Sequence, residues 1–178
     1  MSLPKSYKQG LRSAALCAWA AGIGLWAPRL AADTPVMPGV MVFAATLGDN
    51  WDLYAVRGRS RAELARLTHT PYDEKSPAVS SDRRMIAFAT SGGELAVHDL
   101  ETGQTKSLEL AEYPGHWDFP AYSPDGKQLA CTYFEGDVQD RARLAIIELE
   151  TQQVRFPLDQ YGPQLAPALA PSGSRVAY

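Results

Sequence analysis

The sequence predicts an all-β chain of the β-propeller class, with about three and a half four-stranded blades present. Three observations carry this. A phrase recurs as Pro77-Ala78-Val79-Ser80-Ser81-Asp82, Pro120-Ala121-Tyr122-Ser123-Pro124-Asp125-Gly126 and Pro167-Ala168-Leu169-Ala170-Pro171-Ser172-Gly173. The starting prolines lie 43 and 47 residues apart, and recurrence at roughly 40–50 residues with strand-like content marks a propeller blade. Between the phrases, short apolar runs alternate with turn residues, and no stretch keeps a long helical period.

Residues 1–32 stand apart as a predicted signal peptide. They carry Lys5, Lys8, Arg12 and Arg29 and no acid, and their apolar run from Ala14 to Ala27 is shorter than the ~20 residues needed to span a bilayer. A basic start, a short apolar core and a small-residue exit at Leu30-Ala31-Ala32 read as a secretory signal cut after Ala32, with Ala27 as a second candidate. An uncleaved anchor is the alternative. Cys17 has Leu16 directly before it rather than about three residues before it, which disfavours a lipoprotein.

Of 17 basic and 20 acidic residues, cleavage removes four basic ones, so the mature chain holds 13 against 20, a net charge of −7. That balance disfavours nucleic acid and anionic membrane surfaces as partners. It predicts no membrane insertion once the signal is cut. Cys131 alone remains, in an apolar run, and is expected to be a buried hydrophobe rather than half of an internal disulfide.

The mature chain parses in order. Residues 33–39 form a linker with two prolines, and residues 40–178 form the partial propeller, with repeats starting near 40, 77, 120 and 167. Each repeat reads as strands a to d. Strand a is the Pro-Ala-x segment. A tight turn follows, in which Pro124 presets φ and Gly126 can take positive φ. Strand b is Met85–Ala89, Gln128–Tyr133 and Arg175–Tyr178, and strand c is Leu95–Leu100 and Leu144–Leu149. Both carry apolar residues on two faces, as strands sandwiched between blades do. Strand d is Lys106–Leu110 and Val154–Leu158. The opening repeat supplies b (Val40–Thr46), c (Asp52–Val56) and d (Leu64–Thr68). The chain thus opens on strand b and stops after the strand b of a fourth blade. Closure by a second copy would leave one strand redundant, so a truncated ring with open, aggregation-prone edges is expected.

The phrase Pro120–Gly126, followed by Lys127-Gln128-Leu129-Ala130 and a Leu144-Ala145-Ile146-Ile147 strand, resembles the repeat of TolB-like β-propellers, and the resemblance covers residues 40–178. The copy at Pro77 departs from the pattern, with Ser81 and Arg83 in place of the turn Pro and Gly, and the last copy has Ser172 in place of Asp. The resemblance implies a six-bladed periplasmic propeller that binds other envelope proteins. Only a linker follows the predicted signal, so the separate N-terminal domain of the namesake has no counterpart, and its role is not carried over. Similar repeats occur in the propeller of prolyl-oligopeptidase-like peptidases. A remnant or accessory propeller of an envelope hydrolase, or of a redox enzyme, is therefore the alternative to a non-enzymatic interaction module.

Gly-x-Ser-x-Gly, His-Glu-x-x-His and Cys-x-x-Cys signatures are absent, and His69, His98 and His116 fall in different parts of different repeats. No catalytic residue, cofactor or metal site is expected. A binding surface is expected where the b–c and d–a loops gather, because these are the longer and more distinctive connections. The segment from Glu135 to Arg141 is an insertion of six residues relative to the preceding blade. The candidate partner-binding residues are Trp51, Asp52, Tyr72, Asp73, His116, Trp117, Asp118, Asp137 and Tyr161. Aromatic anchors and an acidic field would suit a basic partner. Equally, the aromatics would cover strand ends and the aspartates would cap turns.

Protein recovered from the envelope should begin at or near Asp33 by N-terminal sequencing. A cytosolic chain retaining Met1 would refute export.

Overall fold

The computed structural model describes residues 40–57, 63–136, 141–159, 162 and 164–178. The predicted signal and linker lie outside them, as do Asp137 and Tyr161. The described residues form antiparallel sheets in which chain neighbours pair in order. The first is three-stranded: β1 (Val40–Thr46), β2 (Trp51–Arg57) and β3 (Glu63–Arg66). Two four-stranded sheets follow. One holds β4 (Glu74–Val79), β5 (Met85–Thr90), β6 (Leu95–Asp99) and β7 (Thr105–Ser107). The next holds β8 (His116–Tyr122), β9 (Gln128–Phe134), β10 (Ala142–Glu148) and β11 (Val154–Arg155). A hairpin of β12 (Ala168–Leu169) and β13 (Val176–Ala177) closes the series. These are propeller blades, all-β as expected.

Strands b and c are buried on both faces, and the period of two sorts their side chains between neighbours. Ile86 and Phe88 of β5 face the first sheet, packing with Val42, Ala44, Leu53 and Ala55. Ala87 and Ala89 of the same strand face the third sheet, packing with Leu129, Cys131, Ala145 and Ile147. Alternate residues of the third sheet, Ala130, Leu144 and Ile146, meet Leu169 and Val176 of the last hairpin. Cys131 is fully buried, and burial pushes its thiol up.

Strand a differs from expectation. It begins three or four residues before the phrase proline, so Glu74, His116, Trp117 and Asp118 are strand residues and not loop. Between Lys75↔Ala89 and Ala78↔Ala87 one extra residue enters β4, and β8 does the same between Asp118↔Thr132 and Ala121↔Ala130. These are β-bulges. The residue ahead of each proline has positive φ: Ser76 (52°), Phe119 (53°) and Ala166 (51°). Strand a is the sheet edge, where a proline without an N–H is tolerated beside a bulge. Strands d end sooner than predicted. Leu108, Leu110, Phe156 and Leu158 leave the ladder to pack on the interblade clusters, with Leu108 N–H donating to Leu95 O at 2.8 Å.

The a–b turns of the second and third sheets repeat atom for atom. Ser80 Oγ donates to Asp82 Oδ1 at 2.6 Å and accepts from Met85 N–H at 3.0 Å, while Arg84 N–H reaches the same carboxylate at 3.1 Å. Ser123 and Asp125 make the same three bonds with Gln128 and Lys127, at 2.6, 2.9 and 3.1 Å. The fourth turn residue has φ 72° at Gly126 and φ 66° at Arg83. The second turn therefore holds a side chain where glycine avoids a cost of about 1–2 kcal/mol. Arg83→Gly should raise stability by up to about 1 kcal/mol, part of the gain being lost to unfolded-state entropy. Gly126→Ala, which meets no atom within 4 Å, should lower it by a similar amount through φ alone. Urea unfolding of both variants checks the pair of signs.

Candidate partner-binding face

Antiparallel order places the b–c turns and d–a segments at one end of the blades, where hydrogen bonds tie them together. Asn50 Nδ2 donates to Thr70 O at 2.8 Å and Tyr72 O at 2.9 Å. Asp73 joins two blades: its Oδ1 accepts from Trp51 N–H at 2.9 Å and its carbonyl from Ser91 N–H at 2.8 Å. In the next blade Trp117 N–H donates to Gly93 O at 2.8 Å. The ring of His116 lies against Gly93, where no Cβ would fit.

The expected residues divide into four groups. Trp51, Tyr72, Asp73 and His116 are at this end with exposed or half-buried side chains. Trp51 also packs on the first interblade cluster. Burial, ahead of Glu74 and Glu94, pushes the Tyr72 phenol up. Asp118 is mostly covered: its Oδ2 pairs with Lys75 Nζ at 3.0 Å, linking equivalent positions of adjacent a strands, and its Oδ1 accepts from Phe119 N–H at 2.7 Å.

Two residues correct the expectation. Asp52 is fully buried, and its Oδ2 lies 2.6 Å from Arg66 Nη2, so its charge is compensated inside the protein. Trp117 is 3% exposed. Its ring lies tilted on Tyr133 with centroids 4.7 Å apart and meets Tyr113 edge-on at 6.3 Å. It is core, not an anchor. Asp137 and Tyr161 lie outside the described residues.

A position missed in the sequence explains Trp117. Three residues ahead of the phrase prolines stand Glu74, Trp117 and Gln164, all buried. Each starts a blade but serves the blade before it. Gln164 Oε1 accepts from Leu144 N–H at 2.7 Å, and its carbonyl accepts from Thr132 Oγ1 at 3.1 Å. Glu74 Oε2 accepts from Leu53 N–H at 3.2 Å and from Thr68 Oγ1, and its Oε1 accepts from Thr70 Oγ1 at 2.8 Å. Trp117 fills the same wedge with an aromatic ring. Aligning the prolines and counting back was the available signal, but the three residue types share no property except burial.

Burial holds the Glu74 carboxyl above its ordinary range. The bonds from Thr68, Thr70 and Leu53 oppose this, and the nearby Asp52 carboxylate adds to it. A folded value above the unfolded one means this group favours the fold most below about 4.5, and the contribution is lost as pH rises through the folded value. Glu74→Gln, which copies Gln164, should remove that slope. Variant and parent stabilities measured by denaturant unfolding should diverge upward from acid to neutral pH, in the variant's favour. A constant difference across pH would show that Glu74 does not titrate as the buried geometry requires.

Among the described residues, the side chains reaching the surface at this end include Asp49, Asp73, Glu94, Glu112 and His116, with Leu47, Trp51 and Tyr72 among them, and the cations Lys75 and Arg141. The a–b and c–d turns at the opposite end hold Asp82, Asp125 and Asp99 in local bonds. Those bonds set their carboxyls below the usual range: first Ser80 for Asp82, Ser123 for Asp125, and Thr102 N–H for Asp99.

No protein-family model matches the chain. It is 30% identical over 99 residues to the Tol-Pal system protein TolB of Francisella tularensis, covering 55% of this chain and 22% of that protein. The chain thus spans about a fifth of the length of the curated relatives it matches. The crystal structure of TolB from Acinetobacter baumannii superposes with a TM-score of 0.62 at 20% identity, over 88% of this chain and 37% of the other. A TolB-type protein from Agrobacterium tumefaciens also gives 0.62, at 18% identity, over 77% and 48%. The oligogalacturonate lyase of Vibrio parahaemolyticus gives 0.56 at 16% identity, over 74% and 39%, so the architecture is shared by an enzyme. Sheet order, interblade packing and these likenesses together show that the described residues form β-propeller blades similar to those of TolB.

Proposed function

We propose that the chain is exported to the periplasm and acts there as a non-enzymatic protein-interaction module of the cell envelope. The partner is an envelope protein with a basic docking patch, bound at the end that carries the b–c turns and d–a segments. One observation carries this reading. At that end the exposed acids Asp73 and Glu94 stand beside the aromatic side chains of Tyr72 and His116, whereas the exposed acids of the described a–b and c–d turns, among them Asp82, Glu101 and Asp125, have no aromatic residue in those turns. An acidic rim around aromatic side chains steers and holds a basic surface. The relation to a Tol-Pal system protein supports an envelope setting. The basic, apolar and small-residue N-terminus supports export.

The test is cross-linking and affinity capture from envelope extract, followed by affinity measurement with the purified partner. Asp73→Lys and Glu94→Lys should each weaken binding about ten-fold or more at low ionic strength, and added salt should narrow the difference. Tyr72→Ala should cost ~2 kcal/mol if it is an anchor. Glu101→Lys and Lys127→Glu at the opposite end should leave affinity unchanged. If those two abolish binding while Asp73→Lys and Glu94→Lys do not, the docking face is the other one.

A further inference from the structure

Between the second and third sheets, at the end opposite the proposed docking face, a cleft of about 360 Å³ opens beside the a–b and c–d turns. That is within the size range of small-ligand sites. Its apolar walls are Met85, Val97, Leu108 and Leu149. Tyr122, at the end of β8, also lines it. The Tyr122 hydroxyl is buried and has no hydrogen-bond partner among the described residues. A buried hydroxyl left unpaired is destabilising, because its desolvation is not offset.

The repeat shows that this hydroxyl is an addition. The position two residues after the phrase proline is Val79 in the second sheet and Leu169 in the last hairpin, both apolar and both packed on an interblade cluster. Packing at this position needs no oxygen. Burial, reinforced by the Asp82 carboxylate, pushes the phenol well above its ordinary value, so it is a proton donor throughout the physiological range.

The other polar groups of the cleft are also mainly donors. Lys106 lines it from β7, with an exposed side chain. Gln152 lines it from the c–d turn of the third sheet; its Oε1 already accepts from Glu109 N–H at 2.6 Å, which leaves its amide N–H groups for another partner. The one carboxylate, Asp99, has its Oδ1 occupied by the N–H groups of Glu101 and Thr102, at 2.7 and 3.0 Å. A hydrophobic wedge that offers the Tyr122 hydroxyl, the Gln152 amide and the Lys106 ammonium, against one carboxylate whose Oδ1 is capped by backbone N–H groups, matches a ligand with an apolar body and an acceptor head.

We infer that the cleft between the second and third blades is a binding site for a small amphipathic carboxylate, its apolar body between Val97 and Leu149 and its acceptor oxygens toward Tyr122, Gln152 and Lys106. The site stands apart from the docking face, and its test does not depend on that reading.

The probe is sodium octanoate, titrated calorimetrically into the whole chain, with 1-octanol as the comparison lacking the charge. Octanoate should bind saturably at one site and octanol at least ten-fold more weakly. Lys106→Met should weaken octanoate about ten-fold, as loss of a charged hydrogen bond does. Tyr122→Phe should weaken it several-fold while leaving the chain no less stable in urea, since an apolar residue fits this position elsewhere in the repeat. Lys127→Met, a nearby lysine outside the cleft, should have no effect. The inference falls if octanoate does not saturate, if octanol binds as tightly, or if Lys127→Met weakens binding as much as Lys106→Met.

Discussion

Each blade of this chain depends on a side chain that belongs to the next one. Strand a enters its sheet with one residue too many, and the extra residue sits at positive φ directly before a proline. The bulge separates the strand into two halves. The half after the proline pairs with strand b and feeds the tight turn. The half before it carries Glu74, Trp117 or Gln164 back into the preceding interface. A residue of this kind held in the left-handed region costs of order 1–3 kcal/mol, and such a conformation persists only where surrounding structure over-determines it. Here the surroundings do. The proline fixes its own φ, the strand pairs on both sides of the bulge, and the buried side chain ahead of it is anchored in the neighbouring blade.

The propeller itself was plain in the sequence because it is written by local rules. Short apolar runs bounded by turn residues placed β1 with the observed bounds and β5, β6, β9 and β10 to within one or two residues at each end. The Ser-x-Asp turns followed from the same phrase. Strand a was read too short because its first half lies before the phrase and has no common composition: Glu-Lys-Ser, Trp-Asp-Phe and Gln-Leu-Ala. Its pairing is enforced by partners in β5 and β9, which a reading of one segment at a time does not see. The aromatic and acidic residues gathered at that end were recognised as unusual, yet burial divides them. Trp117 and Asp52 are interior, and Asp73 and His116 are outside. A tryptophan three residues ahead of a proline looks the same on paper whether it faces water or wedges two blades apart.

Carboxylates take three different roles in the structure. Those of Asp82 and Asp125 are acceptors inside turns, where short bonds favour the ionised form. Those of Asp52 and Glu74 are buried together, with Arg66 paired to the first and hydroxyl groups donating to the second. Desolvation is the larger effect at Glu74, in a position where Gln164 makes the corresponding bond without charge. The exposed acids of the b–c turns and d–a segments form the third set, and these stand beside aromatic side chains. A net charge read from composition sums all three, although Asp52 is neutralised by Arg66 within the fold.

The bulged strands also set an order of assembly. Leu53 N–H, which Thr68 Oγ1 accepts at 2.9 Å, takes its second acceptor from 21 positions further along, and Leu144 N–H takes its side-chain acceptor from 20 positions further along. A blade that has formed all of its own strands still lacks its last interior partner until the beginning of its successor arrives. For a chain that emerges from synthesis N-terminus first, each sheet lacks this contact for the passage of about twenty more residues. Maturation therefore runs one step behind emergence, and the trailing sheet at any moment is the one most open to chaperones and proteases.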